Sequence, residues 1–328
     1  MNPGGNPFCV TILAGEVSGD QHGAKLVSAM QKKTPTLFFC GMGGDALRRA
    51  GVRIVVEAAE LTVVGITEVF VKIPAILRAR AKIKKLLISL KPDLLILIDF
   101  PDFNLHIAAV AKKLDIPVLY YISPQIWAWR QGRVKRISQL VDHMAVILPF
   151  EQRFYKEHNV PVTFVGHPLL DANLPAAGPI SKANPSVPTV IGLVPGSRDI
   201  EVIRHLPVML DSANILTERL GQVKFIISHA PSVERKRIQA VIEGHHLRAK
   251  VEVISDGVEK VFERCDAIVA ASGTVTLQAA IYGIPMVIIY KVSPVSAWFG
   301  RVLIKGISFI GLVNLIAGEE VAPELIQK

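Results

Sequence analysis

The stretch Phe8-Cys-Val-Thr-Ile-Leu-Ala14, running directly into Gly15-Glu-Val-Ser-Gly-Asp20, decides the fold. An apolar run of this length reads as a strand covered on both faces, the kind found in parallel sheets. The glycines, hydroxyl and carboxylates behind it read as a turn, with a helix opening near Gly19. The same pattern recurs along the chain. Leu94–Ile98 runs into Asp99-Phe-Pro-Asp102-Phe-Asn104, and residues 117–121 run into Ser123-Pro-Gln-Ile-Trp127-Ala-Trp129-Arg130. Residues 189–194 run into Pro195-Gly-Ser-Arg198, and residues 267–270 into Ala271-Ser272-Gly273-Thr274. Further strands are predicted at 36–40, 144–148, 223–228, 251–254 and 285–290, and further helices at Asp45, near Ser197 and at Thr274. Strands alternating with helical stretches imply βαβ units and parallel sheets, an α/β fold. Ligands of such sheets bind at the carboxyl ends of the strands. Five decorated strand ends therefore predict two Rossmann-like domains facing one central cleft.

The length of 328 residues favours two domains. Residues 171–188 hold four prolines and no periodicity, which predicts a linker between domains at 1–170 and 189–328. Half of the chain is hydrophobic and only 6% aromatic, as buried strands and covering helices require. The net charge of +9 calls for an anionic partner. No basic run alternates with aromatics as in a single-strand-binding groove, which argues against nucleic acid. Cys9, Cys40 and Cys265 are odd in number, far apart and without metal-ligand spacing, as in reduced core cysteines of a cytoplasmic protein. The N-terminus lacks the pattern of a signal peptide. Ala267–Tyr290 is free of charge, but Gly273, Gly283, Pro285 and its polar residues make it two strands around a short helix, not a membrane span. Residues 72–91 carry seven Lys or Arg and no acid, with Ile73, Ile76, Leu77, Ile83, Leu87 and Leu90 at helical spacing. This reads as a packed helix with a solvated basic face, or as a helix docking on anionic lipid beside the apolar segment 61–71.

The strand ends carry the chemistry. Gly15, Gly19 and Gly23 suit backbone amides that approach a ligand at a helix start, while Glu16 and Ser18 can hold sugar hydroxyls. Gly41–Ala46 matches a relaxed dinucleotide fingerprint, though no acid stands at the expected later strand end. Asp99 at a strand end is a candidate general base if burial raises its pKa, whereas Asp102 is expected to cap the next helix. Trp127 and Trp129 suit stacking on a sugar or covering an apolar edge, and Arg130 suits a phosphate. Arg198 and the helix starts at Ser197 and Thr274 offer charge, amides and hydroxyls to a diphosphate, and Gln278 lies one turn on, within reach of a ribose. His167, at the hinge, is expected to be structural.

Seven strings in this order carry a resemblance: AGEVSGD (Ala14–Asp20), IDFPDFN (Ile98–Asn104), SPQIWAWRQGRVKRI (Ser123–Ile137), LPFEQRFY (Leu148–Tyr155), FVGHP (Phe164–Pro168), VPGSR (Val194–Arg198) and ASGT (Ala271–Thr274). Together they resemble the lipid-A-disaccharide synthase family, inverting glycosyltransferases of bacterial outer-membrane lipid assembly, from about residue 8 to the end. The resemblance implies a GT-B architecture, with the N-terminal domain facing acceptor and membrane and the C-terminal domain holding the UDP-sugar. It implies transfer from UDP-2,3-diacylglucosamine to 2,3-diacylglucosamine 1-phosphate, giving a β-1,6-linked disaccharide phosphate and UDP. Asp99 then matches the catalytic base, with Glu16 beside it. Ser18, Arg198, Ser272, Gly273, Thr274, Gln278 and Asn314 match substrate- and UDP-binding positions, and Trp127, Trp129 and Arg130 are acceptor or phosphate candidates. No cofactor or metal is implied. The protein would work in the cytoplasm, peripheral on the inner face of the inner membrane, as a homodimer in some members. Gln278 stands where the family usually has glutamate, and Val313 where it has proline. Relatives continue beyond the position of Lys328 with helices that cross back onto the N-terminal domain, so the chain reads as C-terminally truncated. Two other readings share the architecture: a UDP-sugar epimerase or another membrane-linked glycosyltransferase, and an inactive membrane-surface fragment that binds UDP-sugars.

Overall fold

The computed structural model describes residues 7–61, 66–171, 188–291 and 309–327, except the side chains of residues 66–71 and Trp129. The expected linker and the segment 62–65 lie outside the described residues. The chain divides into two compact units, Met1–Pro168 and Leu169–Lys328. Unit 1 contains β1 (Cys9–Ala14), β2 (Phe38–Gly43), β3 (Arg53–Glu57), β4 (Leu94–Ile98), β5 (Val118–Tyr121), β6 (His143–Val146) and β7 (Val162–Phe164). Unit 2 contains β8 (Thr189–Val194), β9 (Val223–Ser228), β10 (Lys250–Ile254), β11 (Ala267–Ala271), β12 (Met286–Tyr290) and β13 (Glu324–Ile326). All pairings are parallel, so every strand is reached through a crossover.

The sheet orders are β3-β2-β1-β4-β5-β6-β7 and β10-β9-β8-β11-β12-β13. Both reverse direction at an inner pair, β1/β4 in the first sheet and β8/β11 in the second. The carboxyl ends of such a pair form the crevice in which doubly wound sheets bind ligands. The amino ends share a staple. Asp93, Asp142 and Asp266 each stand one residue before β4, β6 and β11, and their carboxylates accept N–H bonds of 2.8–2.9 Å from Cys9, Val118 and Val190 at the start of the neighbouring strand. Each of these aspartates also donates its own N–H to the carbonyl of that same residue. These bonds hold the register, and register keeps the opposite ends of the strands level.

The core follows from the apolar runs. Ile12, Leu13, Ile96, Leu97 and Ile98 are fully buried, with helices on both faces of the first sheet. The helix Ile66–Leu90 turns Ala79, Ile83 and Leu87 inward, each buried large side chain stabilising by roughly 1.5–3 kcal/mol. Ile76 packs against the same core, but Ile73, Leu77 and Leu90 depart from the packed stripe the spacing predicts, because they are exposed. The strands β3, β7 and β13 were not expected from the sequence. Among the described residues no helix is long and apolar enough to cross a membrane.

Candidate active site

Ala14 and Ile98 are register partners, so the turns after β1 and β4 leave adjacent strand ends. The turns touch: a Cβ on Gly15 would lie 2.4 Å from the Phe100 ring. On Gly19 and Gly23 it would meet Ile98 at 3.3 and 3.0 Å. Gly19 and Gly23 therefore let the helix Val17–Lys33 lie close on the sheet. Glu16 and Ser18 are exposed at the head of that helix.

Asp99 is the first residue of the turn after β4 and is partly buried. Burial, and then the negative charge of Glu16, push its carboxyl up to about 6, against the opposing pull of the Phe100 N–H. A carboxylate in that range is ionised at neutral pH yet basic enough to take a hydroxyl proton. Asp99 and Phe100 are both left-handed, at φ 42° and 47°. Asp102 does not cap the helix Pro101–Lys113, whose N-cap is Phe100 with no side-chain bond. Its exposed carboxylate instead pairs with Arg133 and, at 3.7 Å, with Arg130. One of the phosphate candidates is thus already drawn toward an internal carboxylate.

Two other strings are occupied by internal partners. Trp127 is only 8% exposed, packs edge-on against Phe150 and donates its Nε1–H to Glu151 at 3.1 Å. It covers the core and has almost no ring face for a sugar; the Trp129 side chain lies outside the described residues. The relaxed dinucleotide fingerprint at Gly41–Ala46 is filled from within. The buried Asp20 carboxylate accepts the N–H groups of Gly44, Ala46 and Leu47 at 2.6, 2.9 and 3.3 Å, taking the helix start where a pyrophosphate would lie. His167 is pushed down to about 4, by burial first and then by His22, so it is neutral near pH 7.

In unit 2 the equivalent turns are Pro195–Arg198 and Ser272–Thr274, again at adjacent strand ends, since Val194 pairs with Ala270. Arg198 is the extended residue before the helix Asp199–Leu220, and its exposed guanidinium bonds Glu201 at 2.7 Å. The other Glu201 oxygen accepts the Ser197 N–H at 2.9 Å. Gly196, at φ 121°, has no room for a side chain against Glu201. His205, missed in the sequence, is buried beneath this turn. It accepts the Lys291 N–H on Nε2 at 3.1 Å, so Nδ1 carries the proton that it donates to the Pro195 carbonyl at 3.0 Å.

Gly273 opens the helix Thr274–Ile281, and beyond its own turn no atom of the described residues lies within 4 Å of a Cβ built there. The Ser272 hydroxyl donates to the Ile310 carbonyl at 3.1 Å, and Thr274 is exposed. Gln278 donates an amide N–H to Glu259 at 2.7 Å. Asn314 departs from its expected role. It is fully buried, donates to Ala322 and Glu324 at 2.7 and 2.8 Å, and accepts from Val321 and Ala322 at 2.9 Å. Two donors and two acceptor sites are all an amide has, so Asn314 braces the last strand and has nothing left for UDP. Among the described residues no cluster of His, Cys, Asp or Glu is grouped to hold a metal ion.

Two doubly wound units, with an acidic strand end in one and a cationic, amide-lined strand end in the other, define the GT-B class. Solved structures share this fold. A glycotransferase of kitacinnamycin aligns with TM-score 0.60 at 14% identity, covering 98% of this chain and 87% of that one. The UDP-GlcNAc 2-epimerase of Neisseria meningitidis aligns with TM-score 0.56 at 14% identity, covering 94% and 89%. The sequence is more specific: residues 10–328 match the model of the lipid-A-disaccharide synthetase family. The lipid-A-disaccharide synthase of Geobacter sulfurreducens is 48% identical over 97% of this chain and 83% of its own length. That of Coxiella burnetii is 43% identical over 97% of this chain and 84% of its own. The chain belongs to the lipid-A-disaccharide synthetase family.

Proposed function

We propose that this chain is an inverting glycosyltransferase that moves the 2,3-diacylglucosamine unit of its UDP derivative onto 2,3-diacylglucosamine 1-phosphate, forming the β-1,6 lipid A disaccharide phosphate and releasing UDP. The carrying observation is family membership over nearly the whole chain; Asp99, semi-buried and tuned to about 6, supplies the chemistry. The acceptor hydroxyl gives its proton to Asp99 as its oxygen attacks the anomeric carbon. The bond from that carbon to the diphosphate breaks, and the electron pair leaves with UDP. Unit 1 takes the acceptor, with Glu16 and Ser18 at the sugar and Arg130 near the 1-phosphate. Unit 2 holds the donor: Arg198 and the amides at Gly273–Thr274 stabilise charge on the departing diphosphate, while Ser272 and the Gln278 carbonyl oxygen serve the nucleoside.

The protein works at the anionic face of the inner membrane. The exposed Ile73 and Leu77, set among Lys72, Arg78, Lys82 and Lys85, support docking of the helix Ile66–Leu90 on lipid. The family likeness also supports a homodimer, to be checked by light scattering.

The test is mass spectrometry of the purified chain with both lipids in detergent. The disaccharide phosphate is expected, with no product from Asp99→Asn. UDP released without acceptor lipid would favour epimerase-type chemistry instead. UDP binding without product would leave only the reading as a UDP-sugar-binding fragment.

A further inference from the structure

The Asp99 turn is held by two side chains that touch neither substrate in the reading above. Two successive non-glycine residues, Asp99 and Phe100, adopt the left-handed conformation, which crowds Cβ against the backbone and is unfavourable. Such a conformation persists only where its surroundings over-determine it. Here the Asp99 carbonyl accepts the Tyr120 hydroxyl at 2.6 Å and one Asn104 amide hydrogen at 2.7 Å. The second Asn104 hydrogen reaches the Ile98 carbonyl at 3.1 Å. Both acceptor sites of one main-chain oxygen are thereby filled, and by short bonds.

Neither residue is there for packing alone. Tyr120 is fully buried in the apolar core of unit 1, where phenylalanine would fill the same volume. The hydroxyl must therefore be matched by an acceptor, and the one it has is Asp99. Burial, and then the Asp99 charge, push the phenol well above its usual range, so it remains a donor at every working pH. Asn104 is also fully buried, and its Oδ1 has no bonding partner among the described residues. A buried acceptor without a partner is a cost that an apolar residue of similar size would avoid. What the asparagine supplies is its pair of donors.

We propose that Tyr120 and Asn104 are positioning residues for the transfer reaction. By filling both acceptor sites of the Asp99 carbonyl they lock residues 99–100 in the left-handed turn, which keeps the Asp99 carboxylate in its sheltered place beside Glu16. The proposal rests on the reading of Asp99 as base. Without the two donors the turn relaxes, and the carboxylate moves toward water. It then loses both its alignment and the environment that raises its basicity.

The experiment compares Tyr120→Phe, Asn104→Ala, Asp99→Asn and the double variant Asp99→Asn with Tyr120→Phe, all in the full chain with both lipid substrates. In Tyr120→Phe and Asn104→Ala, kcat is expected to fall about 10- to 100-fold with KM values within about twofold, as for a misplaced catalytic group. The acid limb of the rate profile is expected to move down by about one pH unit, because a better-solvated carboxyl is a stronger acid. In the double variant the tyrosine change is expected to add nothing to the loss from Asp99→Asn. The position of the acid limb does not depend on how much enzyme is folded, so reduced yield does not blur the result. An unmoved acid limb and unchanged kcat in both single variants, with Asp99→Asn inactive, would overturn the positioning role alone. Full turnover in Asp99→Asn would overturn the base assignment itself, on a chain whose Tyr120 and Asn104 are intact.

Discussion

The two units place their turns at equivalent points and fill them with opposite chemistry. After the inner strands β1 and β4, unit 1 carries Glu16 and Asp99; after β8 and β11, unit 2 carries Arg198 and the open start of a helix at Gly273. The topology brings two strand ends together in each unit, and the residues there decide what the crevice does. Burial, and then the charge of a neighbouring carboxylate, raise the Asp99 pKa, which suits a base. Amides and a guanidinium make an anion site. Each unit also spends a carboxylate on its own architecture. Asp20 fills the helix start that a pyrophosphate would otherwise use, and Glu201 braces the turn bearing Arg198.

If this division of labour is right, the units fail differently. The largest effect is expected in unit 1: Asp99→Asn should lower kcat about 10²- to 10⁴-fold, the usual range for a general base, in steady-state assays of disaccharide formation. In unit 2, Arg198→Ala should weaken UDP about 10- to 100-fold by equilibrium titration, as for loss of a charge-assisted bond. A loss of kcat without weaker UDP binding in that variant would break the comparison. The pH dependence sharpens it. Asp99 loses its charge as pH falls through about 6, so kcat/KM in the wild type should have an acid limb there.

The smallest effect is on stability, and its sign is informative. Asp99 has a folded pKa above its unfolded value of 3.8, so its stabilising contribution is present below pH 4 and is lost as pH rises through 6. Asp99→Asn should therefore be more stable than the wild type at pH 8 and no more stable near pH 4. Denaturant melts at the two pH values check this. An enzyme variant that is inactive and yet more stable marks a residue kept for chemistry.

The sequence made the inner strands plain, because Phe8–Ala14, Leu94–Ile98 and Thr189–Val194 sit between two helical layers and must be apolar throughout. The outer strands β3, β7 and β13 were not legible. Arg53–Glu57, Val162–Phe164 and Glu324–Ile326 lie at sheet edges, where fewer residues are buried and the apolar signal fades. Asp99 was visible as an acid at the end of an apolar run. The fates of Trp127 and Asn314 were not, since each is set by partners elsewhere: Glu151 across 24 residues for one, Ala322 and Glu324 for the other. Hydrogen-bond satisfaction is a tertiary property, and no local spacing encodes it.

If base and anion site lie in separate units, Asp99 takes no part in holding the nucleotide. Calorimetric titration of UDP into the wild type and into Asp99→Asn, on preparations also assayed for turnover, puts this to the test. The same UDP affinity is expected in both proteins, with turnover lost in Asp99→Asn. A variant in which UDP affinity falls together with turnover would place Asp99 in the nucleotide site and contradict it.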